Sequence, residues 1–411
     1  MNNMLLQFIK RCSIGFLMYL LTFQVNGQQK AVMILLDGIP TDVIRRVSTP
    51  NMDEIAHVGG FATAYVGGMK DGYSQTPTVS APGYMNMITG VWAHKHNVRD
   101  NAVEEPNYNY WNIFRVAETV DPSLETAIFS TWEDNRTKLI GEGKESAGSI
   151  QLDYSFDGFE LDTNRFPHKA DRKFIFDIDE LVSKEAARYI EEEAPDLSWV
   201  YLEFTDDMGH KFGDSPEMDD AVMKADVQVG RIWEAIKKRE VLGEDWMIVI
   251  TTDHGRNPEN GKGHGGQTNR ERSTWICTNH GNLNESFNQN PGIVDIMPSV
   301  LAHMGIDPSE ALKTEIDGIS FIGKSSLNRV MAKYEGGKLI VNWNPLIRKG
   351  KVEILISETN NYATGGKDFY VKLTEVKVSK GRASIDFDQK ADFYKILLKA
   401  PCNWSNTWLV K

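Results

Sequence analysis

Six side chains with the chemistry of metal ligands lie in short polar segments along the chain. They are Asp37, Asp206, His210, Asp253, His254 and His264. Three carboxylates and three imidazoles form a ligand set that suits zinc or a similar divalent ion and contains too much nitrogen for calcium. One Asp-x-x-x-His or Asp-His pair is weak evidence by itself. Several such elements in a chain with only nine histidines indicate a metal site.

A candidate nucleophile lies in segment 78–90, whose pattern predicts a short helix. Ser80 occupies the expected N-cap, Pro82 falls in the first turn, and the helix ends at Gly90. An N-cap serine usually only caps its helix. A helix N-terminus also binds anions through its free N–H groups and its dipole, and a serine there in contact with a metal could attack phosphorus or sulfur.

Four largely apolar runs end at polar residues. They span residues 31–36, 126–132, 198–204 and 246–252. Such runs are typical of strands whose two faces both meet helices, and helical spacing recurs within 178–190 and 222–236. The alternation predicts an α/β layered sheet with helices on both faces and right-handed crossovers. Ligands bind at the carboxyl ends of strands in such sheets, where Asp37, Asp206, Asp253 and His254 fall.

The pattern changes after about residue 328. Short segments rich in β-branched and aromatic residues alternate with Gly, Asn and Lys turns, and helical spacing is absent. The segments are 338–343, 352–357, 369–378, 383–387, 394–400 and 407–410. They predict a C-terminal all-β sandwich that is fibronectin type III-like or immunoglobulin-like.

Charge excludes some classes of partner. The chain of 411 residues has 45 Lys and Arg against 57 Asp and Glu, a net charge of −12. Residues 1–27 carry two positive side chains and no negative one, so their removal leaves −14. We therefore expect no binding to nucleic-acid polymers or to anionic membranes. A small anionic substrate stays compatible, because bound metal ions reverse the field locally.

The N-terminus has the pattern of a secretory signal peptide. Lys10 and Arg11 precede an apolar stretch at 12–23, and small or compact residues at 25–27 suit cleavage. The alternative is an uncleaved anchor, although the stretch is short for a membrane span. Cleavage predicts a secreted or periplasmic protein without a stable membrane span. There, Cys277 and Cys402 either form a disulfide or serve as two small buried hydrophobic residues.

Short motifs within residues 30–325 occur in an order typical of one family. They are Leu36-Asp37-Gly38, Thr49-Pro50-Asn51-Met52, Ser80-Ala81-Pro82, Ile88-Thr89-Gly90, His96-Asn97-Val98, Asp206 to His210, Ile296-Met297-Pro298-Ser299 and Asp317-Gly318. In this order the sequence resembles the alkaline phosphatase superfamily, and within it the nucleotide pyrophosphatase/phosphodiesterase branch.

The resemblance implies two Zn²⁺ ions, or similar divalent transition metal ions. One would be held by Asp37, Ser80, Asp253 and His254, and the other by Asp206, His210 and His264. It also implies that Asn101 donates a hydrogen bond to a non-bridging phosphoryl oxygen.

Three residues depart from the family pattern. Ser80 stands where the diesterase branch usually has threonine. His264 follows Asp253 closely, whereas many eukaryotic diesterases have a long insertion there, so the spacing looks more like that of phosphopentomutase. Tyr84 replaces the arginine of the sulfatase Ser-x-Pro-x-Arg signature, which argues against a formylglycine at Ser80.

The sequence therefore predicts a signal peptide at 1–27, an alkaline phosphatase-like metallohydrolase domain at 28–328 and a β-sandwich at 329–411. The expected activity is that of a two-zinc phosphodiesterase acting on a small phosphorylated substrate through a phosphoseryl intermediate on Ser80. Three alternatives are a phosphomonoesterase with the same metals, a sulfatase and an inactive glycan-binding module. Tyr84, Trp132 and segment 164–169 are candidates for the substrate side, and the alternative for each is packing or an ordinary surface loop.

Overall fold

A computed structural model describes residues 28–411, so the predicted signal peptide at 1–27 lies outside the described residues. A seven-stranded mixed sheet lies at the centre, in the order β2-β7-β6-β1-β5-β3-β4. Its strands are β1 Gln29–Leu36, β2 Gly60–Tyr65, β3 Thr126–Ser130, β4 Tyr154–Phe156, β5 Leu197–Leu202, β6 Asp245–Thr251 and β7 Ser273–Thr278.

Ten α-helices accompany the sheet in the described part of the chain. They are α1 Thr41–Arg46, α2 Pro50–Val58, α3 Ser80–Thr89, α4 Ala93–His96, α5 Ile113–Val120, α6 Lys173–Glu192, α7 Phe204–Phe212, α8 Pro216–Val241, α9 Ile296–His303 and α10 Glu310–Lys313. Shorter turns of 3₁₀ or π helix span Asn135–Ile140, Glu145–Ala147, Phe159–Leu161, Ile293–Asp295, Asn361–Thr364 and Val378–Lys380.

The central strand β1 shows why helices cover both faces of the sheet. Met33 and Leu35 pack into one hydrophobic cluster with α3, α5 and α9, whereas Ile34 and Leu36 pack into a second cluster with α2, α6 and α8. Successive side chains of a strand point to opposite faces, so an uninterrupted apolar run needs a helical layer on each side. The predicted α/β layered fold is confirmed.

The sheet is not purely parallel. Strands β6, β1, β5, β3 and β4 run parallel to one another, but β7 is antiparallel to both β6 and β2. The apolar runs do not predict β2, β4 or β7. Strands β2 and β4 are the edges of the sheet and are only partly buried, and half of the residues of β7 are Ser or Thr, so none of the three forms a continuous apolar run.

The C-terminal region consists of two antiparallel sheets, as the segment pattern predicts. One has the order β11-β10-β13-β14 and the other β12-β9-β8. The strands are β8 Leu327–Glu335, β9 Lys338–Pro345, β10 Lys351–Ser357, β11 Val371–Lys377, β12 Arg382–Asp386, β13 Phe393–Lys399 and β14 Trp404–Val410. Both sheets contribute to one hydrophobic cluster. Strand β8 was not predicted, and it begins beside the predicted boundary at residues 328 and 329.

The two cysteines in the described range are both free, Cys277 buried and Cys402 exposed. The disulfide alternative is therefore wrong. Cys277 lies on β7 inside the second hydrophobic cluster and behaves as a small buried hydrophobe. Burial raises the pKa of its thiol, which suppresses thiolate chemistry.

Candidate metal centre

The order of the strands brings the predicted ligands together. Asp37 follows β1, Asp253 and His254 follow β6, and Asp206 lies in the first turn of α7, directly after β5. Strand β1 pairs with β6 on one side and with β5 on the other, in parallel. Their carboxyl ends therefore meet at one edge of the sheet, although the residues are up to 217 positions apart in sequence.

The first cluster is built on His254. Its Nε2 atom lies 3.2 Å from Asp253 Oδ2, 3.5 Å from Asp37 Oδ1 and 3.5 Å from the Ser80 hydroxyl. Its Nδ1 donates a hydrogen bond of 2.9 Å to the Gly255 carbonyl. Because a carbonyl only accepts, Nδ1 carries the proton and Nε2 presents a lone pair to the cluster. All four residues are buried.

The second cluster is built on Asp206. His210 Nε2 lies 3.2 Å from Asp206 Oδ2 and 3.1 Å from His264 Nε2. Nδ1 of His264 donates to the Thr78 carbonyl at 3.0 Å, so its Nε2 also presents a lone pair. The rings of His254 and His264 stack with their centroids 3.7 Å apart, which places the two clusters side by side.

The donor atoms fit divalent metal ions. Two tight subsets lie close enough to share an ion, Asp37 with Asp253 and His254, and His264 with Asp206 and His254. Donor atoms around a tetrahedral zinc ion with bonds of about 2.0–2.1 Å lie about 3.3 Å apart. Asp37 Oδ1 and Asp253 Oδ2 are buried and have no hydrogen-bond partner within residues 28–411. A cation satisfies buried carboxylate oxygens that the protein leaves unpaired.

Burial and neighbouring charges shift the pKa values of the predicted ligands, and the direction differs from one side chain to the next. Burial, reinforced by neighbouring carboxylates, raises the pKa of Asp37, and burial raises that of Asp253 to about 7. Burial also acts to raise the pKa of Asp206, but the Arg256 guanidinium and His210 overcome it and lower the value. Burial lowers the pKa values of His254 and His264, which keeps both imidazoles neutral and able to bind a metal.

Ser80 is the first residue of α3, and Val79 occupies the N-cap, so the sequence assignment of Ser80 as the cap is off by one residue. The helix ends at Gly90 as predicted. Asn101 lies at the N-terminal end of α3, beside Ser80, where its Oδ1 accepts a hydrogen bond of 3.0 Å from the Ala81 N–H. No acceptor within residues 28–411 bonds to the Asn101 amide nitrogen, which is therefore available to a ligand beside Ser80.

Tyr84 lies behind Asp37 of the first cluster and does not reach the protein surface. It is fully buried in α3, and its hydroxyl donates to Oδ2 of Asp37. Trp132 packs against the first hydrophobic cluster, with its ring 6.2 Å from that of Tyr84. In segment 164–169, Phe166 is buried, and His168 stacks on Phe174 at 4.3 Å. Packing thus describes Tyr84 and Trp132, whereas the other five residues of segment 164–169 are exposed, as in a surface loop.

Two side chains that bind carboxylate oxygens of the predicted ligands were not among the candidates from the sequence. Tyr201 on β5 donates a hydrogen bond of 2.7 Å to Asp37 Oδ2. Arg256, two residues after His254, forms an ion pair with Asp206. The position of Arg256 directly after Asp-His-Gly, amid several carboxylates, is a signal that sequence reasoning could have used.

Comparison with known proteins agrees with these motifs. The family model for type I phosphodiesterase/nucleotide pyrophosphatase matches residues 31–276. Human ectonucleotide pyrophosphatase/phosphodiesterase family member 5 is 24% identical over 242 residues, which cover 57% of this chain and 46% of that protein. Rat family member 7 is 25% identical over 255 residues, covering 58% and 52%. The chain thus spans about half the length of the curated relatives it matches.

Solved structures share the fold at lower identity. A 2-O GAG sulfatase is 13% identical with a TM-score of 0.52, covering 88% of this chain and 85% of that one. Ps i-CgsB in complex with k-i-k-neocarrahexaose is 15% identical with a TM-score of 0.50, covering 77% and 82%. Among residues 28–411, no helix combines the length and apolarity needed to cross a bilayer. Because the match to the family model covers more than half of the chain, the protein belongs to the type I phosphodiesterase/nucleotide pyrophosphatase family.

Proposed function

We propose that the protein is a metal-dependent phosphoric ester hydrolase, a phosphodiesterase with two zinc ions and Ser80 as its nucleophile. The observation that carries the proposal is the position of the Ser80 hydroxyl, 3.5 Å from His254 Nε2 in a cluster with two unpaired carboxylate oxygens. A hydroxyl at a helix N-terminus, beside a cation site, suits attack on an anionic ester. Family membership supports the same class of reaction.

The ligand sets follow the two clusters. Asp37, Asp253, His254 and Ser80 would hold one ion, and Asp206, His210 and His264 the other. Bound divalent ions at such sites supply Lewis acidity that neutralises charge on phosphoryl oxygens and lowers the pKa of a contacting hydroxyl. The stacked rings of His254 and His264 bring the two ligand sets together, and His254 also lies beside Ser80.

The proposed reaction has two steps. Ser80 Oγ forms a bond to phosphorus while the bond to the leaving oxygen breaks with its electron pair, and the proton of the Ser80 hydroxyl ends on that leaving oxygen. A water oxygen then bonds to phosphorus as the bond between phosphorus and Ser80 Oγ breaks, and one water proton passes to Oγ, which releases a phosphate monoester and restores the Ser80 hydroxyl. The Asn101 amide N–H would donate to a non-bridging oxygen in both steps, while its Oδ1 stays bound to the Ala81 N–H.

A comparison of two model substrates tests the proposal. The zinc-loaded protein should hydrolyse bis-p-nitrophenyl phosphate with a higher kcat/KM than p-nitrophenyl phosphate, and chelation should abolish both activities. A strong preference for the monoester would instead identify a phosphomonoesterase. Hydrolysis of p-nitrophenyl sulfate alone would identify a sulfatase, and inactivity towards all three would favour the binding-module alternative.

We also propose that the protein is exported and that residues 1–27 are removed. The evidence is the charge and apolar pattern of the N-terminus, which suits signal cleavage. N-terminal sequencing of the protein from the extracellular or periplasmic fraction should find Gln28 at the start. Recovery of the uncut chain in the membrane fraction would support an uncleaved anchor.

A further inference from the structure

Arg256 connects three segments of the metal centre from a fully enclosed position. Its side chain is 1% exposed. Its Nε donates a hydrogen bond of 2.9 Å to the Gly38 carbonyl, and its Nη2 donates one of 2.8 Å to the Asp206 carbonyl. A longer bond of 3.4 Å joins Nη1 to the Lys262 carbonyl, and Nη2 also pairs with Asp206 Oδ1. One guanidinium thus holds the end of β1, the start of α7 and the segment before His264.

Two glycines of the ligand motifs make room for this guanidinium. A Cβ added at Gly209, between Asp206 and His210, would overlap the guanidinium atoms. A Cβ added at Gly38, next to Asp37, would lie 2.6 Å from both Arg256 Nη2 and Asp206 Oδ1, and Gly38 has a φ of +65°. Both motifs therefore have glycine where the approach of Arg256 permits no side chain.

Arg256 binds only one of the two oxygens of the Asp206 carboxylate. Oδ1 is bound by the guanidinium and lies 3.9 Å from His264 Nε2, whereas Oδ2 lies 3.2 Å from His210 Nε2 and is free of the guanidinium. The two oxygens of the Asp37 carboxylate also differ in their partners. Two tyrosines donate to Oδ2, whereas Oδ1 has no hydrogen-bond partner among the described residues and faces the first cluster. In each cluster, a buried donor fixes one carboxylate oxygen and presents the other.

We propose that Arg256 is a positioning residue that orients Asp206 for the second metal ion; this inference rests on the proposed function. It acts through the planar fork of the guanidinium, whose donors reach several acceptors at once. The ammonium of lysine is a compact point charge and does not reproduce that fork. Arg256→Lys should therefore weaken binding of the second ion even though it keeps the positive charge.

Two variants, each lacking a ligand of one cluster, allow the Zn²⁺ affinity of the other cluster to be measured by itself. Asp253→Asn removes a ligand of the first cluster, and His264→Ala removes a ligand of the second. Each is prepared in the mature full chain, freed of metal by chelation and titrated with Zn²⁺ by calorimetry. Arg256→Lys should weaken Zn²⁺ binding by about tenfold or more in the Asp253→Asn background, because loss of an outer ligand contact typically costs that much. It should leave Zn²⁺ affinity unchanged in the His264→Ala background.

A matched arginine provides the control. Arg270 is partly buried in the same region and pairs with Asp42 and Asp214, but it contacts no member of either cluster. Arg270→Lys should leave both Zn²⁺ affinities unchanged. Gly209→Ala should displace the guanidinium without removing it and reproduce the loss seen with Arg256→Lys. Thermal unfolding of each metal-free protein is measured as well. A loss of Zn²⁺ affinity in both Arg256→Lys and Gly209→Ala without a fall in Tm indicates a local effect and not a folding defect.

The outcomes separate this inference from the proposal on which it rests. If the unmodified protein binds no Zn²⁺, the proposed two-zinc function fails and this inference fails with it. If it binds two ions and the Arg256 and Gly209 variants leave the second affinity unchanged, only the positioning role is refuted. Equal weakening of both clusters by Arg256→Lys would also refute it, since a general structural role predicts that result.

Discussion

The hydroxyl of Tyr201 donates a hydrogen bond of 2.7 Å to Oδ2 of Asp37, and both side chains are buried at the carboxyl edge of the sheet. Tyr84 donates to the same oxygen, and the two hydroxyls lie 2.9 Å apart. Burial, reinforced by the charge of Asp37, raises the pKa of Tyr201, so its phenol stays protonated. The pair therefore fixes the carboxylate and leaves Oδ1 unpaired for a cation.

Tyr201→Phe should weaken Zn²⁺ binding at the first cluster by about tenfold, because it removes an outer hydrogen bond to a ligand. Calorimetric titration of the metal-free protein in the His264→Ala background measures this affinity. Tyr334, an exposed tyrosine on β8, provides the control, and Tyr334→Phe should leave the affinity unchanged. An unaltered affinity in Tyr201→Phe would show that Tyr84 and the fold alone hold Asp37 in place.

Ser80→Ala should lower kcat for bis-p-nitrophenyl phosphate at least about 10³-fold, because the proposed nucleophile is lost. Its zinc content should stay near that of the unmodified protein, since all the carboxylate and imidazole ligands persist. Ser123→Ala, at an exposed turn, is the control and should retain full activity. Full activity in the Ser80 variant would reject Ser80 as nucleophile and favour direct attack by water.

Stabilisation by Zn²⁺ should increase with pH. Burial raises the pKa of Asp253 from 3.8 to about 7, so the folded metal-free protein binds a proton more tightly than the unfolded chain does. The stability that this proton confers is fully present below the unfolded pKa and is lost as the pH rises through about 7. Zn²⁺ must displace the proton, so its binding is weaker on the acid side.

Thermal unfolding at pH 6 and pH 8, with Zn²⁺ and with chelator, checks this expectation. The difference in Tm between the two conditions should be larger at pH 8. Asp253→Asn should reduce the pH dependence of that difference, because asparagine does not titrate. A larger difference at pH 6 would contradict the assigned direction of the shift.

Lys395 should contribute strongly to stability through a buried ion pair between the C-terminal sheets and the rest of the chain. Its Nζ lies 2.8 Å from Glu315 and 2.7 Å from Asp368, and all three side chains are at most 2% exposed. Lys395→Met should lower the free energy of unfolding by about 3–5 kcal/mol, because it leaves buried carboxylates without a cation. Urea denaturation followed by tryptophan fluorescence measures the change. The exposed pair of Lys338 and Asp386 is the control, and Lys338→Met should have no measurable effect.

Thiol titration should distinguish free cysteines from a disulfide. In the mature chain, Ellman's reagent should react with one thiol under native conditions, the exposed Cys402, and with two after denaturation. Burial and a raised pKa protect Cys277 in the folded state. The counts should not change after prior reduction. Zero thiols before reduction and two after it would show that the disulfide forms.

Much of the fold follows from local patterns. The runs that became β1, β3, β5 and β6 are apolar on both faces, which only a doubly covered sheet accommodates. Strands β2, β4 and β7 were missed because their residues form no continuous apolar run. Whether such a short segment joins the sheet depends on which strand edge is free, and local sequence does not contain that information.

The sequence by itself determined the donor types, their positions after apolar runs and the family. Asp37, Asp206 and His254 were identifiable because carboxylates and imidazoles directly after strand patterns fall at the sheet edge where ligands bind. The tertiary structure decided which atoms of these residues are free. The order of β6, β1 and β5 brings Tyr201 to Asp37 and Arg256 to Asp206. The partners in these two pairs lie 164 and 50 positions apart in the sequence. Contacts across such separations depend on the order of the strands in the sheet, which the spacing of residues in the sequence does not encode.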